Sequence, residues 1–259
     1  MAISLPETKL GRGVKSIRHI LVALPTVSRG MKSNTAISVA QAVAALQANG
    51  VATTLHNIDS AEIVTARDMF ANMLLHTPQW DALLFVDSDM GFQPSLILRM
   101  LAQDAEVVAA ACPRRTLDLA KLIQASNAGD SIEVARSRAS DFTVLSEWGD
   151  RKGSMQVRDG FVSAAAAGMA IAIISKTALQ AMVAGKVVER RLDLNSATGA
   201  PCWSFFGILA ADGTRLGEDY SFCYRWTKLL GRKLPVCVDE TVSHMGDFEY
   251  RGRFADVTA

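Results

Sequence analysis

The sequence has few cysteines and no pattern among them. Cys112, Cys202, Cys223 and Cys237 lack any C-x-x-C spacing, which argues against a thiolate zinc site or a disulfide framework and fits a reducing compartment. It also lacks an excess of either charge, with 27 Lys and Arg against 26 acids and a net charge of +1. No global field then draws the chain to nucleic acid or to an anionic membrane, and any phosphate recognition must be local. Long hydrophobic runs are missing too. A membrane-spanning helix needs roughly 18 or more apolar residues in succession, and the nearest approach, "FVSAAAAGMAIAII", is short and Ala-rich and reads as a buried strand. The opening "MAISLPETKLGRGVKSIRHI" has no apolar segment of the kind a secretory leader carries. No G-x-G-x-x-G follows a strand, so a dinucleotide fingerprint is absent. A cytoplasmic chain with no transmembrane segment and no nucleic-acid partner is expected.

What the sequence has is core. Apolar residues make up 49% of 259 positions, enough for one sizeable domain. "IRHILVALPT" is an apolar run closed by Pro25. Residues 34–49 have an apolar spacing near that of a helix (Ile37, Ala40, Val43, Ala44, Leu46), with Asn34 to cap it and Gly50 to end it. "VATTLHNID" makes a second strand. A second helix runs from Ser60 to His76 with Ile63, Ala66, Phe70, Met73 and Leu74 on its inner stripe. "WDALLFVDSD" is a third strand, Pro94 opens a short helix through Leu101, and "AEVVAAACP" is a fourth strand. This alternation predicts an α/β fold with a doubly wound, mainly parallel sheet. Residues 114–158 are polar and Ser/Arg-rich and read as a long excursion or mobile flap. Beyond them come the Ala-rich strand, a helix capped by Ser175 or Thr177, a helix from Gly217 to Gly231 with Phe222, Trp226, Leu229 and Leu230 inward, and a last strand in "KLPVCVDETVSHMG".

Three constellations carry chemistry. Asp87 and Asp89 flank Ser88 at the C-terminal end of the buried third strand, the edge at which open α/β sheets bind ligands. Two carboxylates there suit a hard divalent cation such as Mg²⁺ or Mn²⁺ that also holds phosphate. The plain alternative is a turn in which Asp caps the next segment. Glu218 and Asp219 open a helix, where acids are also favoured by the helix dipole alone. His244, beyond the last strand, is either a ligand or structural.

The order of these features resembles the GT-A glycosyltransferase superfamily. The resemblance runs through "IVTARDMFANMLL", "LLFVDSDMGFQP", "EVVAAACPRR", "AAGMAIAIISKTAL", "PCWSFF", "GEDYSFCYRWTKLLG" and "SHMG", and covers most of the chain apart from the flap. It implies a single GT-A-like (Rossmann-like) domain with a mainly parallel mixed central sheet flanked by helices, comprising a nucleotide-sugar-binding half at about 17–113, an acceptor half at about 159–259 and a variable flap at 114–158. By the same resemblance Asp89 matches the metal ligand of the D-x-D motif and Asp87 its neighbour at the ribose or metal, with Ser88 between them. His244 matches a further metal ligand. Asp219, beside Glu218, matches the acid that meets the acceptor hydroxyl, and Gly168 the glycine of the donor-sugar loop. Arg67 would face the nucleotide-sugar, and Pro25, Thr26 and Asp59 would edge the nucleobase pocket. The implied donor is a UDP- or GDP-sugar and the implied cofactor Mn²⁺ or Mg²⁺. The single Gly in "AAAAGMA" departs from relatives with two.

Other readings make different demands. A haloacid-dehalogenase-like phosphohydrolase also places D-x-D after a buried strand, but expects Thr or Val where Gly91 stands and an acidic pair downstream. A sugar-nucleotide pyrophosphorylase expects a Gly-rich basic loop after the first strand, and "PTVSRGMKSN" has the charges without the glycines. A non-catalytic nucleotide-sugar-binding protein would be expected to lose Asp89 or Asp219, and both are present.

Overall fold

A computed structural model gives the structure of residues 17–149, 155–211, 213–246 and 249–257. The first half alternates as the sequence predicts: β1 (His19–Thr26), α1 (Ser33–Ala48), β2 (Ala52–Asp59), α2 (Ile63–His76), β3 (Ala82–Val86), a short β4 (Met90–Gly91), α3 (Pro94–Leu101) and β5 (Val107–Ala110). All five residues of β3 are buried. Successive side chains of a strand point to opposite faces, so Leu83 and Phe85 enter one core while Leu84 and Val86 enter the other. A strand covered on both sides needs apolar residues at every position, which accounts for the unbroken run before Asp87.

The inner stripes of the helices differ from those expected. In α1 the cap is Lys32 rather than Asn34, and the buried residues are Thr35, Ser38, Val39, Ala42, Ala45 and Leu46. Ile37 is 56% exposed. An Ala-rich helix with small polar residues has no strong apolar contrast, so its phase is set by tertiary packing. In α2, Ala66, Phe70 and Leu74 are buried as expected, together with Arg67, Asp68 and Asn72, which belong to a polar network inside the core. Ser60 accepts a hydrogen bond from the Glu62 N–H just ahead of the helix.

The excursion after β5 is built of regular structure. It contains β6 (Pro113–Leu117), α4 (Leu119–Asn127), α5 (Ile132–Arg138), β7 (Ser140–Phe142) and β8 (Val144–Leu145). Asp118 and Ser131 cap the two helices through their side chains, and residues 150–154 of the expected flap lie outside the described set. The Ala-rich segment is not one strand but three: β9 (Phe161–Ser163), β10 (Ala166–Ala167) and β11 (Ile171–Ser175). They pair with different partners, β9 with β16, β10 with β8, and β11 with both β3 and β5. Then follow α6 (Lys176–Ala184), capped by Ser175, β12 (Glu189–Arg191), β13 (Cys202–Ser204), the hairpin β14 (Ala210–Ala211) and β15 (Thr214–Arg215), α7 (Glu218–Cys223), β16 (Pro235–Cys237), β17 (Val242–Met245) and β18 (Glu249–Gly252). The helix begun by α7 widens into a π-helical turn at Tyr224–Leu229 and stops at Gly231, whose φ is +63°. Phe222 and Trp226 are buried as expected, but the wider turn brings Leu229 outward to 51% exposure.

The central sheet has the order β2-β1-β3-β11-β5-β16-β9. Strands β2, β1, β3, β5 and β16 run one way, and β11 and β9 run against them. This is the mainly parallel mixed sheet flanked by helices that the sequence implies. A small sheet, β18-β17-β4, sits beyond the end of β3. In it His244 lies opposite Met90, immediately after the D-x-D turn. All four cysteines are buried and free, and no helix among the described residues is long and apolar enough to cross a membrane.

Candidate functional site

The turn Asp87–Asp89 is fixed by backbone bonds from three distant segments. Asp87 N–H donates to Ala170 O at 2.8 Å, Lys32 N–H to Ser88 O at 2.8 Å, and Met245 N–H to Asp89 O at 2.7 Å. With its main chain held from three sides, the turn aims its two carboxylates at two different clusters.

The inner cluster is built on Arg67. Its Nη2 lies 3.3 and 3.2 Å from the two carboxylate oxygens of Asp87 and 3.5 Å from Asp219 Oδ1, while Nη1 donates to Met169 O at 3.1 Å. The guanidinium sits 5.1 Å from the ring centre of Phe85 and 5.8 Å from that of Phe206. Arg67 is 1% exposed and ties the two acids together. A buried guanidinium needs such partners, since an isolated buried charge is strongly unfavourable. Asp219 Oδ2 accepts the Met169 N–H at 3.0 Å, whereas Oδ1 accepts no hydrogen bond. Burial pushes both Asp87 and Asp219 above the ordinary carboxylate range, with Arg67 pulling the other way. Burial also raises Glu218, assisted by the charge of Asp219. Burial would lower Arg67, but Asp219 and Asp87 outweigh it and hold the guanidinium protonated.

The outer cluster joins Asp89, His244 and Arg115. His244 Nδ1 lies 2.8 Å from Pro113 O and Nε2 lies 3.2 Å from Asp89 Oδ2. A carbonyl oxygen only accepts, so Nδ1 carries a proton and Nε2 is the atom presented to Asp89. Two lone pairs would then face each other unless a second proton or another cation lies between them. Arg115 Nη1 reaches the same Asp89 Oδ2 at 3.6 Å. Burial raises Asp89, but the hydrogen bond and charge of His244 and the charge of Arg115 outweigh it, and its pKa falls below the ordinary value. For His244, burial acts downward and is overcome by Asp89 and Pro113, giving a raised pKa.

Among the described residues, no cluster of three or more His, Cys, Asp or Glu groups is arranged to hold a metal. The three-residue set of Asp87, Asp89 and His244 expected from the sequence is divided, because Asp87 turns to Arg67 and leaves Asp89 and His244 as a pair. Gly168 lies where a Cβ would stand 2.6 Å from Thr143 Oγ1 and 3.8 Å from Asp219 Oδ2, so this glycine lets the segment after β7 approach the inner cluster. Pro25 and Thr26 end β1 opposite Ile58 and Asp59 of β2. Thr26 Oγ1 accepts from Asn57 Nδ2 at 2.6 Å, and Asp59 accepts the Arg29 N–H at 2.9 Å. Asp59 thus braces the turn after β1, in which Ser28 and Arg29 both have positive φ, and it takes no part in either ion cluster.

Two site residues were not singled out in the sequence. Arg115 follows a buried strand in "CPRR", and a basic pair at that edge was its only signal. Asp68 accepts from Phe206 N–H at 2.8 Å, Arg191 Nη1 at 2.9 Å and Ser204 Oγ at 3.0 Å, so it anchors the segment that carries Phe206 under Arg67. Burial raises its pKa against the pull of these donors. A lone acid in a helix gives no local sign of such a role.

No protein-family model matches the chain, and no curated protein matches it. Among solved structures, protein A197 from STIV is similar at 12% identity with a TM-score of 0.46, over 89% of this chain and 86% of that one. GalNAc-T7, solved with UDP, GalNAc and Mn²⁺, is similar at 10% identity with a TM-score of 0.47, over 90% of this chain and 44% of that one. The chain therefore spans less than half of the GalNAc-T7 chain.

Proposed function

We propose that the chain is a metal-dependent glycosyltransferase that moves a sugar from a nucleoside-diphosphate sugar, of the UDP or GDP type, to an acceptor hydroxyl. The observation that carries this reading is the pairing of Asp89 with a His244 whose tautomer is fixed, at a turn whose other acid, Asp87, shares Arg67 with Asp219. The donor set fits Mn²⁺ or Mg²⁺. The imidazole presents a nitrogen and the carboxylate an oxygen, and the Pro113 carbonyl fixes the ring as outer hydrogen bonds commonly do for metal-bound histidines. Two protein ligands suffice for a hard cation that also takes phosphate oxygens and water. When bound, such a cation stabilises the negative charge that develops on a leaving diphosphate.

The chain's own residues supply the rest. Asp219 has Oδ2 on the Met169 N–H and Oδ1, which is buried, 3.5 Å from Arg67 Nη2, and its raised pKa suits a base that removes the acceptor proton. Glu218, beside it at the start of α7, adds negative charge that favours proton uptake. Arg67 holds Asp219 and Asp87 at a fixed spacing. Gly168 lets its loop pack against Thr143 beside Asp219, and we place that loop against the transferred sugar. We place the donor against residues 17–113, with Pro25, Thr26 and Asp59 around the base and Ser88 between the two acids, and the acceptor against residues 159–259, with 114–158 covering them.

Calorimetry with UDP- and GDP-sugars, in Mn²⁺ and in EDTA, tests the metal. Binding is expected to need the cation and to vanish in Asp89→Ala; equal affinity in EDTA would sink the reading. Asp219→Asn should keep metal and donor binding while turnover falls by about 10²- to 10⁴-fold, the usual worth of a general base. Loss of donor binding instead would make Asp219 a ligand contact.

A further inference from the structure

Two nitrogens converge on one oxygen of the D-x-D turn. His244 Nε2 and Arg115 Nη1 approach Asp89 Oδ2 at 3.2 and 3.6 Å. They arrive from different strands, β17 and β6, and differ in freedom. His244 is pinned at its other nitrogen by Pro113 O, whereas the Arg115 side chain is 58% exposed. The carboxylate opens into a cavity of 340 Å³ lined by Lys32, Asp89, Arg115, Met245, Gly246 and Tyr250. That wall holds two cationic side chains and one anionic one. A bare metal ion reaching Asp89 meets the Arg115 charge at the very oxygen it needs, and a bare diphosphate meets the Asp89 charge. A cation already carrying a diphosphate suits both: Asp89 and His244 face the cation, and Arg115 and Lys32 face phosphate oxygens.

We propose that Arg115 is a displaceable counter-ion, which neutralises Asp89 before the donor binds and turns to the diphosphate when metal and diphosphate enter together. The site then selects the metal–diphosphate complex over either component alone. This rests on the reading of Asp89 and His244 as metal ligands. It assigns Arg115 a positioning and selecting role that a simple phosphate contact would not have, because removing it should shift two affinities in opposite directions.

The experiment follows the signal of free Mn²⁺ by electron paramagnetic resonance during titration of the full chain, with and without inorganic pyrophosphate. In Arg115→Met, Mn²⁺ alone should bind about three- to tenfold tighter, since a neighbouring positive charge at a partly exposed site has been removed. Mn²⁺ with pyrophosphate should bind about three- to tenfold weaker, since the same charge no longer meets the anion. The neighbouring exposed residue provides the control, and Arg114→Met should change neither affinity. Shifts in the same direction, or no shift in either titration, would overturn the counter-ion. The Asp89→Ala variant separates the two levels. If Mn²⁺ uptake is unchanged without Asp89, the metal reading falls and the counter-ion with it. If uptake depends on Asp89 but is indifferent to Arg115, the counter-ion alone falls. Thermal melting of Arg115→Met that overlays the parent keeps a folding defect out of the comparison.

Discussion

The inner cluster, Arg67 with Asp87 and Asp219, holds its guanidinium at 2% side-chain exposure, while the outer cluster, Asp89 with His244 and Arg115, has an arginine 58% exposed. Both contain a carboxylate from the same three-residue turn, and the environment sends the two in opposite directions, Asp87 above the ordinary range and Asp89 below it. The three carboxylates are about equally exposed, at 27% for Asp87, 22% for Asp219 and 23% for Asp89, so the difference lies in their partners. One guanidinium is shared between two acids inside, whereas Asp89 has an imidazole and a second arginine to itself. The inner cluster is suited to fixing position, and the outer one to exchanging partners.

The sharpest way to break this contrast is to remove each arginine in turn. Arg67→Met takes a buried guanidinium from two half-buried carboxylates, and breaking a pair of this kind costs up to about 3–5 kcal/mol. Arg115→Met, at an exposed site, should stay within about 0.5 kcal/mol of the parent. Urea unfolding measures both, and equal losses would show that the two clusters do not differ as described. A smaller effect is expected at Gly168. A Cβ there comes 2.6 Å from Thr143 Oγ1, so Gly168→Ala should cost about 1–3 kcal/mol as overpacking does. Thr143→Ala should recover most of that loss in a double-mutant cycle. Mn²⁺ affinity should be unaffected, because the clash adjoins Asp219 and not the outer pair.

The smallest effect is one of slope with pH. A carboxylate whose folded pKa is raised binds protons more readily when folded, so the stability it confers falls as pH rises from 3.8 through the folded value. The lowered pKa of Asp89 does the reverse: its stabilisation is present above 3.8 and is lost as pH falls through the folded value. His244, raised above 6.5, stabilises at lower pH and loses that contribution as pH rises through its folded value. Asp87→Asn should therefore gain on the parent as pH rises above 3.8 and through the folded value of Asp87. Asp89→Asn should lose most ground at intermediate pH, where both members of its pair are charged. Parallel profiles for the two variants would refute the opposite shifts.

Where side-chain pattern and local structure agree, the sequence was legible. The apolar run before Asp87, Pro94 at the start of α3 and Gly231 after the last helix all have local causes: burial on both faces, a preset φ, and tolerance of a positive φ. The segment "FVSAAAAGMAIAII" was not legible as three strands, because alanine marks neither a face nor a break. Its division is set by partners as distant as Leu145 and Cys237. The helices at 119–127 and 132–138 are short and lie on the surface, with Leu119, Ile123 and Ile132 exposed, so no buried apolar stripe marked them and their caps at Asp118 and Ser131 were the clearest local signals. In the site, the acids were readable as candidates from their place at strand and helix ends. The partition between them was not, since it depends on Arg67 reaching Asp87 across 20 positions and on His244 reaching Asp89 across 155.

Strand β6 has a further consequence. Its pairing with β7 is irregular: Pro113 lies opposite Phe142 and Leu117 opposite Ser140, so four steps on one strand match two on the other. Pro113, whose carbonyl sets the imidazole, is at an anchored end, and Arg115 is inside the bulge. The paired residue and the exposed arginine are thus only two residues apart. Substitution at 115 therefore changes the charge beside Asp89 while the Pro113 carbonyl that orients His244 stays in its paired position.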